Sequence, residues 1–163
     1  MRQAAFLRAI NVGTHNRIKM ADLKDVCQAA GFENVSTYLQ TGNLLFESDL
    51  SPEEVATKME AALTARGLRN ADVIVRSQAE LAALLKSDPF EKHPRESFRQ
   101  YVTLFRRGLP ANAAEVAGAN PLNILVRKAE ICSVRPIEVT NGPDLNGNLE
   151  KKLKVPGTTR YWH

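Results

Sequence analysis

"VSTYLQTGNLLFE", residues 35–47, decides the fold. Two runs of β-forming residues flank Thr41-Gly42-Asn43, so the stretch reads as a β-hairpin. Gly42 and Asn43 both tolerate positive φ and suit a two-residue turn. Such a turn pairs Leu39 with Phe46 and Thr41 with Leu44. These residues then share an apolar face with Val35, while Tyr38, Gln40 and Leu45 fall on the other face.

A helix pattern lies on each side of the hairpin. "MADLKDVCQAAG" (20–31) puts Met20, Leu23, Val26, Cys27 and Ala30 on one face, and Gly31 stops it. "SPEEVATKMEAALTARG" (51–67) opens on a capping box, Ser51 with Glu54, and has Pro52 at the first helical position. Its apolar stripe is Val55, Met59, Ala62 and Leu63. Strands "AAFLRAI" (4–10) and "DVIVR" (72–76) complete the set. The order βαββαβ predicts an α+β fold of the ferredoxin-like kind, a four-stranded antiparallel sheet with both helices on one face. With Leu7 and Ala9 turned to the helices, Phe6 and Arg8 join Tyr38 and Gln40 on the open face. Aromatics and arginine on a sheet follow the logic of an RNA-binding surface, though the specific aromatic motif of such domains is absent. Packing against the second half is the plainer use of that face.

A second capping box, Ser77 with Glu80, starts a helix carrying Leu81, Leu84 and Leu85, and Asp88-Pro89 ends it. "FEKHPRESFRQ" (90–100) is charged and lacks a stable period, which places an internal boundary there. The expectation is a 1–90 subdomain with a trailing helix and a 91–163 subdomain, in one compact unit. The second half reads as a strand at 101–105 and a short helix from Asn112 with Glu115 as its partner. Strands follow at 123–128 and 130–136, then the loop "TNGPDLNGN", a helix at 149–154 and an extended 158–162. That is again β-α-β-β-α-β, in a smaller and looser form.

Composition agrees. At 163 residues, 44% hydrophobic and 25% charged, the chain matches one ordinary domain or two small ones, and a folded rather than disordered chain is expected. The net charge is +4. Between Asn146 and His163, Lys151, Lys152, Lys154 and Arg160 face a single acid, Glu150, for a local +3. Such a tail attracts phosphates or nucleic acid, or is simply a solvated helix face. Cys27 sits on a helical stripe and Cys132 in a strand-like run, so both read as buried free thiols in a reducing compartment. No apolar run suits a signal peptide or reaches the roughly 20 residues of a membrane span, so cytoplasmic residence and no membrane partner are expected.

No Gly-rich phosphate loop ends in Gly-Lys-Ser/Thr, Gly13 stands alone, and no nucleophile elbow is present. His15, His93 and His163 form no pair at metal-ligand spacing, and neither cysteine has a near partner. Neither a cofactor nor a metal is expected.

The loop Asn11 to Lys19 is longer than the roughly two to six residues usual between a strand and a helix. It carries Arg17 and Lys19 to the start of a helix, with Arg8 before it. No Ser, Thr, Asp or Asn adjoins Met20 as a cap, so the first-turn N–H groups are open to an anion. The plainer alternative is that Asn16 caps an earlier start.

"LRAINVGTHNRIKMADLKDVCQAAGFENVSTYLQTGNLLFES" (7–48) resembles the opening of the bacterial domain of unknown function family 1697. The shared positions are Arg8, Ile10 to Gly13, Met20, Leu23, Thr37, Tyr38, Gln40, Gly42, Asn43 and Phe46. "DPF" (88–90) and "LEKKLKVPGTTRYW" (149–162) fit as well. Departures are Ala9 for Gly, Thr14 for a second Gly, and Tyr161 for Asn. The family pattern also implies a further helical tail, whose absence would leave some surface bare. The resemblance implies an α+β protein with ferredoxin-like elements and brings no activity.

Its polar motif positions nominate Arg8, Asn11, Gln40, Asn43, Thr159 and Arg160 as a site. With Gly13, Arg17, Lys19, Tyr38 and Gly42 they form the expected ligand-binding set. Loop-tying hydrogen bonds are the competing use of the amides. The leading expectation is binding of an anionic ligand, whether nucleotide, phosphate or nucleic acid, at the first loop and hairpin turn. An enzyme on an anionic metabolite is the second, with Arg8 and Arg160 orienting the anion and Tyr38 or His15 moving a proton. A protein-interaction module using the open sheet face is the third.

Overall fold

The computed structural model describes residues 1–139 and 145–162, and the chain divides into two compact units, Met1–Ala83 and Leu84–His163. The fold is mixed α+β, with two four-stranded antiparallel sheets and five helices among the described residues.

The first unit runs β1 (Arg2–Leu7), α1 (Met20–Ala29), β2 (Glu33–Tyr38), β3 (Asn43–Glu47), α2 (Pro52–Ala65) and β4 (Val73–Ser77). Its sheet order is β2-β3-β1-β4. Ala5 pairs with Leu44, and Ala5 and Leu7 share the inner face with Leu44 and Phe46. Leu23, Val26 and Cys27 of α1 and Val55, Met59 and Leu63 of α2 close over that face. Met59 and Leu63 have no exposed surface, and each such burial contributes about 1.5–3 kcal/mol. The Ser51–Glu54 capping box is complete, and Gly31, at φ +87°, follows α1.

Two local expectations for this unit are corrected. The first strand stops at Leu7 rather than residue 10, because Ala9 and Asn11 take φ values of 58° and 53°. That reversal turns Ile10, 4% exposed, into the core. The hairpin turn is four residues, Leu39 to Gly42, with Tyr38 opposite Asn43 and Thr37 opposite Leu44. Leu39 takes φ +58° and is exposed, so it does not pair with Phe46. Gly42 sets this register. A Cβ on it would sit 2.5 Å from Ile10 Cδ1, and its carbonyl accepts from Leu7 N at 2.8 Å. Asn43 closes the turn by donating through Nδ2 to the Tyr38 carbonyl and to Thr41 Oγ1.

The helix α3 (Gln78–Lys86) begins on the Ser77–Glu80 capping box and carries the division between units. The second unit continues with β5 (Phe98–Phe105), α4 (Ala113–Gly118), β6 (Asn123–Val126), β7 (Glu130–Pro136), α5 (Leu145–Leu153) and β8 (Gly157–Tyr161). Its sheet order is β6-β7-β5-β8, and Phe105 and Ile131 pack with Ala113, Ala117, Leu149 and Leu153. Strand β5 starts three residues earlier than expected, inside the charged stretch, because exposed Arg99 and buried Gln100 still alternate across the ladder to β7. Asn112 precedes α4 without a side-chain cap bond, so the expected Asn112–Glu115 pairing is not made. Helix α5 starts at Leu145, within the segment read as a loop; residues 140–144 of that loop lie outside the described residues. No helix among the described residues is long and apolar enough to cross a membrane.

Candidate functional site

Strand pairing gathers three connections at one end of the first sheet. Leu7, the last residue of β1, pairs with Val73, the first of β4. Phe6 pairs with Asn43, the first of β3. The loop after β1, the turn before β3 and the segment before β4 therefore meet.

The first loop is tightly built. Asn11 N donates to the Asn16 carbonyl at 3.0 Å, Val12 bridges to His15, and Gly13 takes φ +64° at the tip. Asn11 Oδ1 accepts from Ile18 N at 2.9 Å, and Arg17 Nε donates to the Gly13 carbonyl at 3.1 Å. Asn16 fastens this loop to the segment before β4. Its Oδ1 accepts from Arg69 N at 2.9 Å, and its Nδ2 donates to the carbonyls of Ala9 and Arg69. Asn16 does not cap α1; that position belongs to Lys19, which makes no side-chain cap bond.

An open hollow of ≈ 850 Å³ lies among these segments. Four of the sequence-derived residues line it, Asn11, Arg17, Lys19 and Gln40. Arg66 and Asp22 add charges, and Ile18, Met20 and Leu68 add apolar surface. Three cations against one carboxylate make the lining electropositive. All four charged side chains are exposed, so the field is screened by salt beyond roughly 8–10 Å.

The remaining expected residues do not line the hollow. Arg8 donates through Nη1 to Asp72 Oδ2 at 3.0 Å, and its backbone N–H donates to the Asp72 carbonyl. Tyr38 is 57% exposed at the end of β2, while Gly42 and Asn43 hold the turn. Thr159 and Arg160 belong to β8 of the second unit. Thr159 Oγ1 lies 2.9 Å from Thr103 Oγ1, and Arg160 Nη1 donates to Thr158 Oγ1 and the Thr159 carbonyl. Burial pulls the Arg160 guanidinium down to about 10.

Sequence reasoning passed over Arg66, and it read Asn16 as a helix cap rather than as the anchor to Arg69. Arg66 follows the last residue of α2 and has no local pattern to mark it. Its place follows from topology, because the segment leaving α2 must enter β4 beside the end of β1. Neither cysteine offers a nucleophile, since burial pushes both thiols up to about 12. Among the described residues, no group of three or more His, Cys, Asp or Glu could hold a metal ion.

Comparison with known proteins agrees with this architecture. The conserved bacterial protein SP0830 from Streptococcus pneumoniae has a similar structure, with a TM-score of 0.69. The match is 22% identical in sequence and covers 98% of this chain and 92% of that one, a likeness of fold. No curated protein matches the chain. The first sheet, the Asn11–Gly13 loop and the Gly42–Asn43 turn all fall within residues 1–129, and over that span the chain belongs to the family described as Protein of unknown function (DUF1697).

Proposed function

We propose that the first unit binds a small anion in the hollow beside α1. The observation that carries this reading is the meeting of Arg17, Lys19 and Arg66 around one concavity, with Gln40 among them. Ammonium and guanidinium groups supply charge-assisted hydrogen bonds to phosphate or carboxylate, and the open first turn of α1 adds favourable dipole. Two buried free thiols support a reducing, cytoplasmic setting. We also read each unit as ferredoxin-like; βαββαβ order in both, with the first strand central, supports that.

Calorimetric titration with inorganic pyrophosphate at low salt tests the anion reading. Arg17→Gln and Arg66→Gln are expected to weaken binding about fivefold or more each. Lys24→Gln, the same charge change on α1 outside the hollow, is expected to leave affinity nearly unaltered. Affinity should fall as salt rises. No binding at low salt, or equal losses in all three variants, overturns it.

A second reading draws on the β2–β3 hairpin, where Tyr38, Leu39 and Leu45 are 57%, 55% and 50% exposed. Exposed large apolar groups in one hairpin suit a protein contact. Light scattering on the chain and on Leu45→Glu checks it; a monomer in both cases counts against self-association through this hairpin.

A further inference from the structure

The lining of the hollow is mixed, and the mixture is informative. A site for a bare inorganic anion needs cations and N–H donors only. Here Ile18, Met20 and Leu68 supply apolar surface in the same concavity as Arg17, Lys19 and Arg66. Leu68 is 6% exposed and packs into the core, so its contribution is a fixed wall rather than a mobile flap. Gln40 brings an amide with one acceptor and two donors, the pattern that pairs with the edge of a nucleobase. Asp22 repels a second anionic group but accepts hydrogen bonds from sugar hydroxyls, as a carboxylate does in dinucleotide-binding folds. The hollow, ≈ 850 Å³ and open to solvent, has room for a small organic ligand.

Resting on the anion reading above, we propose that the ligand is a nucleoside monophosphate. The cations take the phosphate, Asp22 the ribose hydroxyls, and the apolar wall with Gln40 the base. The shared chemistry, a base joined to a phosphate, also occurs inside single-stranded nucleic acid. The presence of Asp22 argues for the free nucleotide, because a polyphosphate backbone crossing the hollow would meet its carboxylate.

The test is calorimetric titration of the full chain at low salt with four probes: inorganic phosphate, adenosine, adenosine 5′-monophosphate and a single-stranded oligonucleotide. The nucleotide is expected to bind at least about tenfold more tightly than phosphate or adenosine, a difference of roughly 1.4 kcal/mol. Asp22→Asn should narrow the preference for ribo- over deoxyribonucleotide, and Arg66→Gln should weaken nucleotide and phosphate alike. Equal affinity for phosphate and nucleotide overturns this inference and leaves the anion reading standing. Tighter binding of the oligonucleotide than of the nucleotide also overturns it. Binding by none of the four removes both.

Discussion

Asn16 and Arg69 exchange hydrogen bonds across 53 positions of sequence: the Arg69 N–H donates to Asn16 Oδ1, and Asn16 Nδ2 donates to the Arg69 carbonyl. One side chain thus reproduces a backbone pairing and locks the first loop to the segment before β4. Asn16 itself holds φ +52°, a conformation asparagine tolerates better than most residues. Asn16→Ala loses the bonds and keeps the strained φ, and is expected to cost about 2–3 kcal/mol. Asn16→Gly relieves the strain and should recover about 1 kcal/mol of that. Urea unfolding midpoints of the two variants check the order.

Gly42 and Gly13 both take positive φ, yet their surroundings differ. A Cβ on Gly42 meets Ile10 Cδ1 at 2.5 Å and Leu7 Cβ at 3.0 Å, whereas a Cβ on Gly13 meets nothing within 4 Å. Gly13→Ala is expected to cost about 1 kcal/mol, from φ alone. Gly42→Ala adds overpacking against the core and is expected to cost about 2–4 kcal/mol. Thermal unfolding of the pair separates backbone strain from steric conflict; equal losses would contradict the close approach.

The two cysteines make a pH-dependent contribution. Burial raises both thiols from the ordinary value of 9.0 to about 12, so the folded chain keeps protons that the unfolded chain gives up. Stability from this source is intact below pH 9 and falls as pH rises through the interval from about 9 to about 12. Denaturant midpoints between pH 8 and 10.5 should decline, and Cys27→Ala with Cys132→Ala should flatten that part of the curve. A thiol reagent at pH 8 should label the native chain only at its opening rate.

The Ser51–Glu54 box makes the opposite dependence. Hydrogen bonds from the Ser51 side chain and then its backbone N–H hold the Glu54 carboxyl below its ordinary 4.5. The contribution is present above pH 4.5 and is lost as pH falls through the lowered value. Ser51→Ala should cost about 1 kcal/mol at pH 7, and the cost should shrink at pH 3.

Much of the first unit was legible because its signals are local. Ser51, Pro52 and Glu54 announce α2 without reference to anything distant, and the spacing of Leu23, Val26 and Cys27 fixes the buried face of α1. What escaped depends on residues far apart in sequence. The turn before Asn43 is four residues because Gly42 must clear Ile10 and Leu7, more than thirty positions earlier. The strand at Arg2–Leu7 ends where it does because Ala9 and Asn11 reverse the chain, which no propensity foretells at alanine. Two of the three cations of the hollow were visible in the basic stretch Arg17 to Lys19. Its other cation, Arg66, is brought in by the order of strands, and local pattern carries no trace of that.

The central position of β1 and β5 governs how each sheet is assembled. Neither first strand can acquire both neighbours until the third and fourth strands of its own unit have been made. Every partner of β1, however, lies before Ala83, so a nascent chain can complete the first sheet while the second is still being translated. The sheet end bearing the hollow would then be in place before β8 leaves the ribosome.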